Sequence, residues 1–143
     1  MNSIQLLHDF KNESVHYDED IDTLFLKYKG PVKDDFDFIK INTILLQAFK
    51  MRLTQKFAVD ARTVQLLNVR CKNSVAETLF PEMIKHLNGS TLYHTQLIDS
   101  ANKMSTLSAS NVKLKAGVIE KNICIEQFTD ETAMREKLEM FEG

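Results

Sequence analysis

One stretch limits the folds open to this chain more than any other: Phe36 to Phe57, FDFIKINTILLQAFKMRLTQKF, a long apolar run between two turn signals. Wound at about 100° per residue, Phe38, Ile39, Ile41, Leu45, Leu46, Ala48, Phe49, Leu53 and Phe57 cover about half of a helical cylinder. A surface helix needs a narrower stripe. The spacing therefore predicts a central helix at about 35–59, with other segments or a partner chain packed on more than one side of it. Asn42, Arg52 and Lys56 interrupt its apolar half, while Ile44 and Met51 emerge from the polar half. Long basic stems lie along apolar surface with their charges in water, so Arg52 and Lys56 suggest a boundary. Phe38 to Ala48 is thus read as core. Phe49, Met51, Leu53 and Phe57 are the candidate partner-binding residues.

The rest of the composition favours helices around that segment. Only four Gly and two Pro in 143 residues leave few turn residues for an all-β sandwich. The fold class expected is mainly α: a single helix-rich domain over 1–143, a bundle organised around the central helix, in which 1–30 forms a separately packing N-terminal helical pair. Met1 is followed by no cationic segment and apolar core of a leader, and no uncharged run is long enough to span a bilayer, so a soluble intracellular protein without membrane contact is expected. Nothing separates cytoplasm from nucleus. Cys71 and Cys124 lack a C-x-x-C spacing and are read as buried reduced thiols.

In chain order, Ile4, Leu6, Leu7 and Phe10 predict a short amphipathic helix over 1–13. Ile21, Leu24, Phe25 and Tyr28 occupy i, i+3, i+4 and i+7 positions of a second helix, ended by Gly30 and Pro31. Asp34 or Asp35 caps the central helix. Residues 62–72 satisfy neither period cleanly and are read as helix. Ser74 to Glu77 is a capping box that starts another, kinked or divided at Pro81 and closed by Asn88-Gly89. A helix carrying Leu92, Tyr93, Leu97, Ile98, Ala101 and Met104 follows. Residues 112–127 alternate as a small β-hairpin with Glu120-Lys121-Asn122 as its loop; the rival reading is a helical seam of Val112, Ala116, Ile119 and Ile123. Thr129 caps a terminal helix whose Ala133, Met134, Leu138 and Phe141 face inward.

Motifs that carry chemistry are few. Asp18, Asp20 and Asp22 fit the first ligand positions of an EF-hand loop, but Thr23 and Lys29 stand where its Gly and bidentate Glu belong. The four histidines show no paired metal-ligand spacing, there is no Gly-rich phosphate loop, and no nucleophile elbow appears. No catalytic, cofactor-binding or metal residues are assigned. Lys85-His86-Leu87-Asn88-Gly89-Ser90 resembles the H-x-L-K-G-S core of histidine phosphotransfer domains over six residues, with Lys85 in the place of the phosphorylatable histidine.

Charge is uneven. Residues 40–72 hold seven basic side chains against Asp60 alone, whereas 1–35 hold eight acidic and four basic. If the basic stretch formed one exposed face, Lys50, Arg52, Lys56 and Arg62 would be its nucleic-acid contacts. The reading favoured is a non-enzymatic protein-protein interaction subunit or adaptor, homo- or hetero-oligomeric, in a larger intracellular assembly. A nucleic-acid-binding accessory protein is the alternative, and a small enzyme or phosphotransfer-like helical module the second.

Overall fold

The fold is not a helical bundle. The computed structural model describes residues 4–30, 32, 34–64, 67–119 and 122–141, and its centre is a six-stranded mixed sheet in the order β1-β2-β3-β4-β5-β6. β1 (Ile4–Asp9), β2 (Glu13–Asp18) and β3 (Thr23–Tyr28) form an antiparallel meander. From β3 onward the sheet is parallel: β4 (Lys56–Asp60), β5 (Leu92–Leu97) and β6 (Ile123–Phe128) are added one at a time through helical crossovers. Crossovers of one hand, each advancing by one strand, place their helices on the same face. Those helices are α1 (Asp35–Lys50), the continuous run α2 (Val69–Ser74), a π-helical stretch (Val75–Leu79) and α3 (Phe80–Leu87), and α4 (Lys103–Ile119). The terminal helix α5 (Glu131–Met140) covers the opposite face.

Strand alternation sorts the core into two layers. Leu24, Leu26, Tyr28, Phe57 and Leu92 meet Phe38, Ile41, Leu45 and Phe49 of α1, Leu79 and Phe80 of the second helical run, and Val112 and Ala116 of α4. Phe25, Ala58, Tyr93 and Leu97 point the other way, onto Met134 and Leu138 of α5. A strand buried on both faces reads as a continuous apolar run, with no alternation to betray it. That is why Leu24-Phe25-Leu26 fits a helical stripe although it is the centre of β3.

Several expectations are corrected accordingly. The N-terminal helical pair is three strands, the first two joined by a turn at Phe10–Asn12 in which Phe10 N–H donates to the Glu13 carbonyl at 2.8 Å. The central helix stops at Lys50 instead of reaching 59, and Phe57 belongs to β4. Asp34 does cap it, accepting from Asp37 N–H at 2.8 Å. Thr54 ends the connection: its hydroxyl donates to the Asp22 carbonyl and accepts from Lys56 N–H, latching the start of β4 to the turn before β3. Pro31, expected as a helix stop, lies outside the described residues.

Ser74 opens no helix, because the run begins at Val69 under an Asn68 cap, whose side chain accepts from Cys71 N–H at 2.9 Å. Pro81 falls at the start of α3, where the π-helical stretch returns to α-helix and a missing N–H is tolerated. Asn88 takes the left-handed cap at φ 52°, and Gly89 follows at φ 98°. The expected helix over 91–104 holds β5 at Leu92–Leu97 instead, and the hairpin does not form: 112–119 lies in α4, and the second limb is a strand that pairs in parallel with β5. Its loop residues Glu120 and Lys121 lie outside the described residues. Cys71 is buried but Cys124 is exposed.

Candidate functional site

Two places hold groups that ordinary packing does not explain. The first is the corner where the α1–β4 connection meets the start of β1. Here Arg52 is held from several directions: Nη1–H donates to the Ala48 carbonyl at 3.0 Å, Nη2–H to Gln5 Oε1 at 3.3 Å, and the guanidinium lies 5.0 Å from the centre of the Tyr17 ring. Its own carbonyl accepts from His86 Nε2 at 2.9 Å. On either side of this pinned residue the side chains of Met51 and Leu53 stand 82% and 98% exposed.

The four candidate partner-binding residues therefore separate. Phe49 is wholly buried, edge-on to His86, and Phe57 is buried against His94 and Phe80. Met51 and Leu53 remain at the surface, and Leu6 on the neighbouring edge strand is 58% exposed. The residue pairing of β1 with β2 shifts between Leu6 and His8, a bulge that spoils the flat edge a further strand needs.

The basic candidates do not converge. Lys50 Nζ bonds Glu82 at 3.1 Å. Lys56 is buried and donates to the Ile21 carbonyl at 3.1 Å. Arg62 lies past the other end of β4, where Nε and Nη2 grip the Asp60 carboxylate at 2.9 and 2.7 Å. Asp18 is likewise occupied: it is buried in an ion pair with Arg135 at 2.6 Å, and Tyr17 takes Asp22. Among the described residues no group of three or more His, Cys, Asp or Glu could hold a metal ion, and no helix is long and apolar enough to cross a membrane.

The second place is a cavity of about 60 Å³ between the sheet and the helices α1 to α4. Leu26, Tyr28 and Phe57 form its floor, Phe38, Val75, Leu79 and Phe80 its sides, and Val112 part of its roof. Four polar side chains reach it: Asn42, His94, Gln96 and Ser108. His94 packs between Phe57 and Phe80, with ring centres 4.6 and 5.0 Å away, and bonds the Phe57 carbonyl at 2.9 Å. A carbonyl only accepts, so Nδ1 carries the hydrogen. Burial pushes the His94 pKa down to about 4, against the opposing pull of that carbonyl bond, so the ring is neutral at pH 7. Gln96 Oε1 accepts from Gln127 Nε2 at 3.1 Å, and Ser108 Oγ from Leu67 N–H at 2.9 Å.

Asn42 stands apart. It is 5% exposed, and its Nδ2 has no hydrogen-bond partner among the described residues. Near the mouth of the same helical layer, the Cys71 thiol donates to Asp35 Oδ1 at 3.5 Å; burial and then the Asp35 charge push its pKa up to about 11, which keeps it a thiol.

Sequence reasoning missed this cavity because three of its four polar groups come from β5 and α4, elements it did not place. Asn42 alone left a signal, as a polar residue inside an apolar helical stripe. No protein-family model, curated protein or solved structure matches the chain.

Proposed function

We propose that this protein is a non-enzymatic interaction subunit that docks on another protein through the Met51–Leu53 corner. The observation that carries the reading is the pairing of full apolar exposure with a fastened backbone. A Leu on a floppy loop costs little and means little. Here the intervening Arg52 is fastened to α1, β1, β2 and α3, which ties down the segment that carries Met51 and Leu53. A backbone already tied down loses less entropy when a partner covers its side chains. The partner is a protein surface with an apolar pocket for Leu53. The bulge in β1 favours contact through side chains over addition of a further strand.

The test uses a photo-crosslinking amino acid placed at position 53 and, as a control, at Leu114, another exposed leucine. The reading expects one discrete adduct from position 53 that excess wild-type protein suppresses and Leu53→Asp protein does not. No adduct, or equal suppression by both competitors, removes it.

A further inference from the structure

The cavity beneath the helices contains a hydrogen-bond donor that finds no acceptor among the described residues, and that mismatch describes a ligand. Proteins rarely bury an amide N–H without an acceptor, because its hydration is lost with no return. Asn42 Nδ2 is such a group, on a side chain 5% exposed, at the wall of the cavity. Three further polar side chains of the lining bond within the protein: His94 to Phe57, Gln96 to Gln127, Ser108 to Leu67.

We propose that the cavity takes a small neutral molecule, a compact hydrocarbon body bearing one carbonyl or similar accepting oxygen, with that oxygen on Asn42 Nδ2. Neutrality follows from the lining, which among the described residues contains no Lys, Arg, Asp or Glu. A charged ligand buried there would lose its hydration against no counter-charge. The hydrocarbon body follows from Leu26, Phe38, Phe57, Leu79, Phe80 and Val112, whose surfaces gain dispersion contacts from a filled cavity. A lone water molecule meets the polar groups but leaves most of the carbon wall without contacts. An oxygen-bearing hydrocarbon meets both the donor and the carbon. This site is independent of the Met51–Leu53 corner: Asn42 and the lining belong to the interior, and neither Met51 nor Leu53 contributes to it.

The experiment titrates isotope-labelled wild-type protein with acetone, isobutene and acetate, three probes of similar shape that match a cavity of about 60 Å³ and differ in the acceptor and the charge. Resonances of the Asn42 side-chain amide and of the Val64 and Val112 methyl groups are followed. The proposal expects saturable binding of acetone, at least about 10-fold tighter than isobutene or acetate, with the largest amide shift at Asn42. Asn42→Leu protein should unfold at higher temperature than wild type and bind the ketone and the hydrocarbon alike. Absence of saturable acetone binding overturns the site itself. Equal affinity for acetone and isobutene overturns the role of Asn42, and acetate binding as tightly as acetone overturns neutrality. These comparisons are made in wild-type protein, so they stand whether or not the Leu variant folds.

Discussion

His94 donates from Nδ1 to the Phe57 carbonyl across the β4–β5 pair, so an imidazole in the middle of the core serves the backbone of its neighbouring strand. The bond fixes the tautomer, and burial fixes the charge.

That arrangement predicts an acid-sensitive stability. The folded-state pKa of His94 is lowered from 6.5 to about 4, so the unfolded chain binds the proton more readily. Stability is unaffected by this group above about pH 6.5. It falls as pH drops from there toward 4, by a total of about 3 kcal/mol, and the loss levels off below. His94→Gln keeps a side-chain amide but does not titrate. The difference between the urea midpoints of wild type and variant, measured from pH 8 to pH 4, should change over this window; a constant difference would contradict the assignment.

Phe49 and Leu53 belong to one apolar run but should behave oppositely when changed. Phe49→Ala opens a hole among fully buried neighbours and should cost about 4 kcal/mol in urea unfolding. Leu53→Asp alters a side chain in full contact with water and should shift stability by no more than about 0.5 kcal/mol. A large loss in the second variant would mean that Leu53 is covered by the protein's own chain.

How far the sequence reveals the fold is clearest in this same run. Its N-terminal half is a helix, with the Asp34 cap, and Phe38, Ile41 and Leu45 are buried as the spacing says. Its C-terminal half keeps the apolar pattern by coincidence, because Phe57 continues the helical stripe numerically while lying in β4. β5 is concealed differently. Leu92 to Leu97 is buried throughout, yet half of it is His94, Thr95 and Gln96, and a polar run seldom announces a central strand. The terminal helix is legible in outline, but Asp130 and not Thr129 caps it, accepting from Ala133 N–H at 3.2 Å, and of the four residues expected to face inward Met134 and Leu138 are buried while Ala133 and Phe141 are half-buried.

Arg135 gives a third prediction. It is the cation on Asp18, whose carboxylate is nearly inaccessible, while the guanidinium is partly in water. Among the described residues, Arg135→Met leaves that carboxylate the Asp20 N–H bond at 3.1 Å, and it should cost about 2 kcal/mol. Asp18→Asn in the Arg135→Met background should recover part of it. A double-mutant cycle in urea checks the coupling.

The cap on α1 gives a fourth. Asp34→Ala removes the acceptor for Asp37 N–H and should lower stability by about 1 kcal/mol, read from the shift in the urea midpoint. Asp34→Ser, which can still accept, should restore most of it.

The order of strands across the sheet is also the order in which a ribosome delivers them. Each strand meets a neighbour already made, and none has to wait for a later segment to hold its place, so the sheet can grow from one edge during synthesis. The cavity follows a different schedule. Its floor is present once β3 and β4 have emerged, but Ser108, Ala109 and Val112 arrive with α4, near the end of the chain. A nascent chain halted before α4 would own most of a sheet and an unfinished cavity, so binding there would report completion of the protein and not merely the presence of its framework.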